Sequence, residues 1–195
     1  YSHAYAGSHF FRKKPLVTSA VHYSTHAYTL LAAAYEAKTD RTFCQLLKTH
    51  ISTPMGVPSL RCEVQGSSVF HRSTIYENTP PFKPAKGLNL SWKYAGGGLE
   101  ASAVDLARLG IKLIEGRLFS RATIDQMVTP PDSLSNRAHG WDQGFHGRKK
   151  YFEKLGDLTG ARALYRVYPD DDTVVVMLTN TRAASGTSSG SLRSP

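Results

Sequence analysis

Two histidines stand four residues apart, a spacing that can bind zinc when both side chains fall on one face of a helix. His22 and His26 have this spacing. In zinc peptidases the residue after the first histidine is a glutamate that acts as the general base. Here that residue is Tyr23, and no third ligand is evident. We interpret the spacing as incidental and expect neither a metal nor another cofactor.

The chain contains only two cysteines, Cys44 and Cys62, in 195 residues. Two cysteines are too few for the disulfide framework that holds small secreted domains together. Cys44 also falls within a helical pattern, where cysteine usually serves as a small buried hydrophobic residue. We predict that both cysteines are reduced thiols.

Two helices are predicted near the start of the chain, after a loop that covers about the first twenty residues. The first spans about 26–38, where Ser24 or Thr25 can cap its start. Its apolar side is predicted to contain Leu30, Leu31, Ala34 and Tyr35. The second helix spans about 43–51, and Pro54 ends it.

The clearest helical signal lies in the middle of the chain. Ser102 and Asp105 form an S-x-x-D start signal, and Gly116 is suited to end the helix. The predicted buried stripe consists of Leu106, Leu109, Leu113 and Ile114. A shorter helix is predicted over about 120–128, before two consecutive prolines.

Strand patterns surround these helices. Residues 59–94 indicate short strands and turns, and the last ordered unit is predicted as a hairpin with strands at 161–168 and 174–178. Alternating strand–helix units of a doubly wound sheet are missing, so the pattern predicts an α+β fold with an antiparallel sheet and flanking helices. The Ser/Gly-rich residues 183–195 are predicted to be a disordered tail, which leaves one partial domain over residues 1–182.

Three blocks of sequence, in the same order, resemble the serine β-lactamase and penicillin-binding protein family. They begin with a proline-containing and a tyrosine-led segment, continue through a glycine-rich segment, and end at a lysine-led strand. The blocks are Pro15–Val17 with Tyr23–Ala33; Asn78–Pro80 with Trp92–Gly98 and Ser102–Leu106; and Lys154–Gly160, leading to Thr179 and Asn180. The tyrosine-serine-threonine and triple-glycine blocks are most similar to those of the family's animal mitochondrial members.

The resemblance implies acyl transfer. The serine of an S-x-x-K motif is acylated, and water or an amine later releases the acyl group from it. Tyr23 would be the family's second-motif base. A free phenol has a pKa of about 10, so nearby cations are needed, and Lys154 would supply one and bind a substrate carboxylate. Gly156 would let substrate lie along an edge strand, and Thr25 and Gly97 would contact substrate. Leu155 replaces a hydroxyl that family members often use.

The residues by themselves leave simpler alternatives open for each position. Tyr23 could be an ordinary packing tyrosine, and Lys154 could be a solvated lysine at a strand edge. The glycines at 96–98 are suited to a tight backbone turn. The resemblance also shows a departure at Thr25, which stands where many family members carry the asparagine of Y-x-N.

The nucleophile motif is missing from the chain, since no serine is followed three residues later by lysine. Two interpretations remain. The chain is a fragment of a longer active protein, or it is a truncated relative that cannot be acylated. The first implies metal-independent hydrolysis of a peptide, ester or amide, and these 195 residues alone would be inactive. The second implies a non-catalytic scaffold, such as a homo-oligomer or filament, since mitochondrial members of the family form filaments.

The net charge of +9 raises a third possibility, a basic protein that binds nucleic acid or anionic lipid. The charge is concentrated in short clusters at 12–14 and 148–150, and no nucleic-acid-binding motif accompanies them. Solvated loops are therefore favoured over a nucleic-acid site. No apolar run approaches the roughly 20 residues of a membrane helix, so we expect no transmembrane segment. The resemblance implies a mitochondrial location.

Overall fold

The computed structural model of the chain describes residues 23–77, 80–131 and 135–181. The predicted N-terminal loop and the predicted C-terminal tail lie outside the described residues. The described residues divide into two compact units, one formed by residues 23–68 and 87–112 and the other by residues 69–77, 80–86, 113–131 and 135–181.

The first unit begins with helix α1, Thr25–Thr39. Its sequence is rich in alanine and other good helix formers. The Ser24 hydroxyl accepts a hydrogen bond from the backbone N–H of Ala27 at 3.2 Å, and Asp40 ends the helix in the left-handed conformation. The predicted helix and its cap are therefore confirmed.

The buried side of α1 differs from the predicted one. Thr29 and Ala32 are buried, whereas Leu31 and Tyr35 from the predicted apolar side are exposed. Thr29 can be buried because its hydroxyl donates a hydrogen bond to the carbonyl of Thr25, one helical turn earlier. The apolar periodicity located the helix correctly but not the side that packs.

Helix α2, Phe43–Leu47, follows directly and continues into a π-helical turn, Lys48–Ser52. Thr42 and Gln45 form a reciprocal capping box at its start. This agrees with the predicted helix over 43–51.

The two cysteines form a disulfide bond, so the prediction of reduced thiols is wrong. Cys44 lies on α2 and Cys62 lies on strand β1, Arg61–Cys62. Their Cα atoms are 5.8 Å apart, which is within the range of a disulfide. The sequence could not show this, because the packing of α2 against β1 brings together cysteines that are 18 residues apart.

The rest of the first unit carries the glycine-rich block. A 3₁₀ turn, Ser91–Lys93, leads into helix α3, Tyr94–Gly97, and then into strand β2, Leu99–Glu100, which pairs antiparallel with β1. Helix α4, Ala103–Ile114, comes next, and Leu113 and Ile114 at its end belong to the second unit. Of its predicted stripe, Leu113 is buried and the other three are half-buried.

The second unit is built on a four-stranded antiparallel sheet with the order β3-β4-β5-β6. Its strands are β3, Asp142–His146; β4, Lys149–Leu158; β5, Ala161–Tyr168; and β6, Thr173–Thr179. Helix α5, Arg121–Val128, is capped by the Ser120 hydroxyl. The hydrophobic core combines helix and sheet residues: Leu113, Ile124, Val128, Phe152 and Val167. The predicted hairpin, the predicted helix at 120–128 and the α+β class are confirmed.

Candidate active site

The tyrosine-led block lies at the start of α1 in the first unit. Tyr23 comes two residues before the helix, and 69% of its surface is exposed. Ser24 is the N-cap and Thr25 is the first helical residue. The capped turn fixes the backbone of this block, and Tyr23 precedes it as a mostly exposed residue.

The glycine-rich block lies directly against this turn. A Cβ atom on Gly96 would stand 2.5 Å from Thr25 Cγ2 and 2.9 Å from the Thr25 carbonyl oxygen. The rings of His26 and Trp92 are also close, with centroids 5.6 Å apart. Two of the three sequence blocks are therefore packed together within one unit. Local sequence patterns could not predict this contact, because about 70 residues separate the two blocks.

Gly97 differs from its neighbour in both conformation and surroundings. Its φ angle is 150°, a backbone conformation that residues other than glycine rarely adopt. Apart from its chain neighbours and the backbone of α3 itself, no heavy atom of the described residues lies within 4 Å of the position that a Cβ atom would occupy. The turn therefore requires glycine at this position, as expected, and leaves open space beside the backbone.

The lysine-led block lies on strand β4 of the second unit. Lys154 and Gly156 are two residues apart, so both are on the same face of the sheet, and Leu155 is on the opposite face. Lys154 is half-buried opposite Tyr165, whose pKa is raised by burial. Gly156 is opposite Ala163, and a Cβ atom at 156 would stand 3.4 Å from the Ala163 methyl group.

The register of β4 places Gly156 at an edge of the described sheet. β3 pairs with β4 from Lys149 to Glu153, whereas β5 pairs with it from Phe152 to Leu158. An edge strand can accept an extended chain alongside it. The five predicted site residues thus fall in two sets: Tyr23, Thr25 and Gly97 on the first unit, and Lys154 and Gly156 on the second.

A buried ion pair holds β4 in place next to Lys154. Arg166 on β5 donates two hydrogen bonds to Glu153, at 2.9 and 2.8 Å, and only 4% of the Glu153 side chain is exposed. The Arg166 guanidinium also lies 4.0 Å from the centre of the Tyr151 ring. The sequence did not reveal this group, because its partners come from two different strands.

In the first unit, a second cluster of polar side chains connects the start of α4 to a loop that is distant in the sequence. Ser59 donates hydrogen bonds to Asp105 through its hydroxyl, at 2.6 Å, and through its backbone N–H, at 2.9 Å. Burial alone would raise the pKa of Asp105, but the bonds from Ser59 and Arg108 outweigh it and hold the pKa below its usual value. The S-x-x-D signal predicted the Ser102–Asp105 cap, whereas the role of Ser59 was missed.

Within residues 23–77, 80–131 and 135–181, no group of three or more His, Cys, Asp or Glu side chains could hold a metal ion. His22 lies outside the described residues, so the zinc spacing has no structural test. No helix in these ranges is long and apolar enough to cross a membrane.

The sequence profile of the Beta-lactamase family matches residues 9–189, which is most of the chain. The chain therefore belongs to the Beta-lactamase family, and its fold is a partial β-lactamase/transpeptidase-like domain with antiparallel strands and flanking helices.

One curated protein and two solved structures illustrate what the chain is similar to. PbpX of Bacillus subtilis (strain 168), classed among penicillin-binding proteins, is 23% identical over 172 residues, which cover 81% of this chain and 39% of PbpX. The D-amino acid amidase of Ochrobactrum anthropi SV3 shares the fold with a TM-score of 0.73 and 17% identity, over 87% of this chain and 52% of the amidase. The octameric penicillin-binding protein homologue of Pyrococcus abyssi has a TM-score of 0.70 and 19% identity, over 84% of this chain and 39% of that one. The chain thus spans about half the length of these relatives or less.

Proposed function

We propose that this chain is part of a serine hydrolase that acts through an acyl-enzyme, and that its nucleophilic serine lies outside these 195 residues. The observation that carries the proposal is the placement of Lys154 and Gly156 on one face of β4, at an edge of the described sheet. A cation beside an edge glycine suits a substrate whose extended backbone runs along the strand and whose carboxylate meets the lysine.

In the proposed reaction, the serine oxygen attacks the carbonyl carbon of an amide or ester. Tyr23 accepts the proton of the serine hydroxyl and passes it to the departing amine or alcohol. Water then attacks the acyl-enzyme, which releases a carboxylic acid and restores the serine. Backbone N–H groups of the strand at Gly156 stabilise the oxyanion. The exposure of Tyr23 and the open space beside Gly97 are compatible with these roles.

The proposed substrates are small peptides, amides or esters that carry a free carboxylate. The named activity of the Ochrobactrum amidase concerns amides of amino acids, which supports small amides as substrates. Leu155, which is exposed on the other face of β4, offers no hydroxyl to bind the carboxylate. Recognition of the carboxylate therefore rests on Lys154.

We also propose that the protein forms homo-oligomers and that it belongs to the family's animal mitochondrial branch. The octameric state of the Pyrococcus homologue supports the first proposal. The tyrosine-serine-threonine and triple-glycine blocks support the second. The disulfide between Cys44 and Cys62 favours an oxidising compartment.

The enzyme proposal is tested by treating the complete gene product with a fluorophosphonate probe and mapping the adduct by mass spectrometry. We expect one labelled serine outside the present residues. Tyr23→Phe should slow labelling at least about 100-fold, the usual contribution of general acid–base catalysis. Lys154→Met should mainly raise KM for carboxylate-bearing substrates. Lys150→Met, a change on the same strand, is the matched control. A complete product with no labelled serine would overturn the proposal.

A further inference from the structure

The disulfide bond joins two short elements of the first unit. Cys44 is on the five-residue helix α2, and Cys62 is on the two-residue strand β1. Within the described part of the chain β1 pairs only with β2, which also has two residues. A two-stranded pair has little stability of its own in water. Its position therefore depends on contacts with its neighbours, and the bond to α2 is a covalent one.

The strand that carries Cys62 also holds one end of the glycine-rich block. Leu99, which follows the three glycines, is opposite Cys62 in the pairing of β2 with β1. The backbone N–H of Glu63, the residue after Cys62, donates a hydrogen bond to the carbonyl of Gly98 at 2.9 Å. Gly98 is itself buried. A displacement of β1 would therefore displace the end of the glycine-rich block.

The same block contacts the turn that follows Tyr23. Gly96 packs against Thr25, the first residue of α1. The backbone N–H of Gly98 donates a hydrogen bond to the Tyr94 carbonyl at 3.1 Å, which closes the single turn of α3. This turn therefore connects the disulfide-bonded strand with the tyrosine-led block. Every contact in the series lies within the first unit.

We propose that the bond between Cys44 and Cys62 controls the candidate site. When the bond is formed, it holds the glycine-rich block against the turn after Tyr23; when it is reduced, the block loosens and acylation slows. In the reduction a dithiol supplies two electrons and two protons, the S–S bond breaks, two Sγ–H groups form, and the dithiol becomes a disulfide. Both cysteines are positioning residues that act through β1 and the glycine-rich block. The effect on the rate rests on the hydrolase proposed above.

The bond would make the activity depend on the redox state of the surroundings. Thiols stay reduced in the cytosol, whereas disulfides form and persist in oxidising compartments. The hydrolase would be slow under reducing conditions and would reach its full rate once the bond has formed.

Hydrogen exchange of the complete gene product, with and without dithiothreitol, tests the structural part of the proposal. After reduction, the amides of Glu63 and Gly98 should exchange at least about tenfold faster, because both are hydrogen-bonded within this region. The amide of Ala27, in the capped first turn of α1, should follow. The amide of Leu106 on α4, in the same unit, is the matched control and should change less than about twofold. Equal acceleration at Leu106 would indicate general loosening of the unit and would overturn the proposal.

The rate of fluorophosphonate labelling tests the functional part. Reduction should slow labelling of the serine at least about tenfold, because small displacements of reacting groups have effects of this size, and glutathione disulfide should restore the rate. The Cys44→Ser/Cys62→Ser variant should react at the reduced rate and should not respond to dithiothreitol. An unchanged rate in the reduced protein would overturn control through the disulfide and leave the hydrolase proposal intact. A complete product with no labelled serine in either state would overturn the hydrolase and, with it, the proposed control of its rate.

Discussion

The carbonyl oxygen of Thr25 lies so close to Gly96 that a Cβ atom on that glycine would stand 2.9 Å from it. This contact joins the tyrosine-led block to the glycine-rich block. The N-terminal turn of α1 therefore depends on a residue about 70 positions away, which has no side chain.

Gly96→Ala should destabilise the first unit. The added methyl group would collide with both the carbonyl oxygen and the Cγ2 atom of Thr25, and overpacking of this kind costs about 1–3 kcal/mol. Urea denaturation followed by circular dichroism measures the loss. Gly87→Ala is the matched control, because a methyl group there meets only the Gln65 side chain, at 3.5 Å. Equal stability of the two variants would contradict the close contact.

Asp105 should make stability depend on pH in the acid range. Its folded-state pKa lies below the ordinary value of 3.8, so its ionised form stabilises the fold above that value, and this contribution is lost as the pH falls through the lower folded pKa. In Asp105→Asn, stability should fall less between pH 5 and pH 2 than in the wild type. Asp125→Asn, in an exposed surface ion pair, should keep the wild-type dependence. Parallel pH profiles for wild type and Asp105→Asn would refute this role.

Glu153→Gln should cost much more stability than a surface change on the same strand. The substitution leaves the Arg166 charge, whose side chain is only 13% exposed, without its carboxylate, and breaking a buried pair costs about 3–5 kcal/mol. Asp157→Asn alters a more exposed pair with Arg162 and should cost less than about 1 kcal/mol. The midpoints of guanidinium unfolding give the comparison, and similar midpoints would argue against the buried pair.

Reduction of the disulfide should destabilise the first unit by about 3 kcal/mol, as expected for a closed loop of this length. The Cys44→Ser/Cys62→Ser double variant should behave like the reduced protein and should not respond to dithiothreitol. Before reduction, the unfolded wild type should incorporate no iodoacetamide, and after reduction it should incorporate two equivalents. Labelling without a reductant would show that the thiols are free.

Local signals explain which elements the sequence could predict. Helix α1 and the β5–β6 hairpin were found because caps, turn residues and periodicity lie within a few positions of one another. Strand β3 has the sequence D-Q-G-F-H, which lacks β-branched residues and regular alternation. Its pairing with β4 stabilises it, and no local pattern predicted it.

For the candidate site, too, local patterns could be read from the sequence, whereas contacts between distant residues could not. Motif resemblance pointed to Tyr23 and Lys154, and turn chemistry pointed to Gly97. The disulfide and the Thr25–Gly96 contact were missed because each joins residues that are distant in the chain. The buried pair of Glu153 and Arg166 depends on the strand register, which alternation alone does not determine.

The hydrogen bond from the Asn180 side chain to the Thr74 carbonyl, across 106 residues, has a consequence for biosynthesis. A second bond runs from the backbone N–H of Tyr76 to the Asn180 carbonyl. At about 5–20 residues per second, the ribosome needs roughly 5–20 s to make Asn180 after Thr74. During that interval the segment around Thr74 has no native anchor at this point. The second unit can therefore complete this pair of hydrogen bonds only after β6 has left the exit tunnel, so its folding must follow rather than accompany the synthesis of the segment around Thr74.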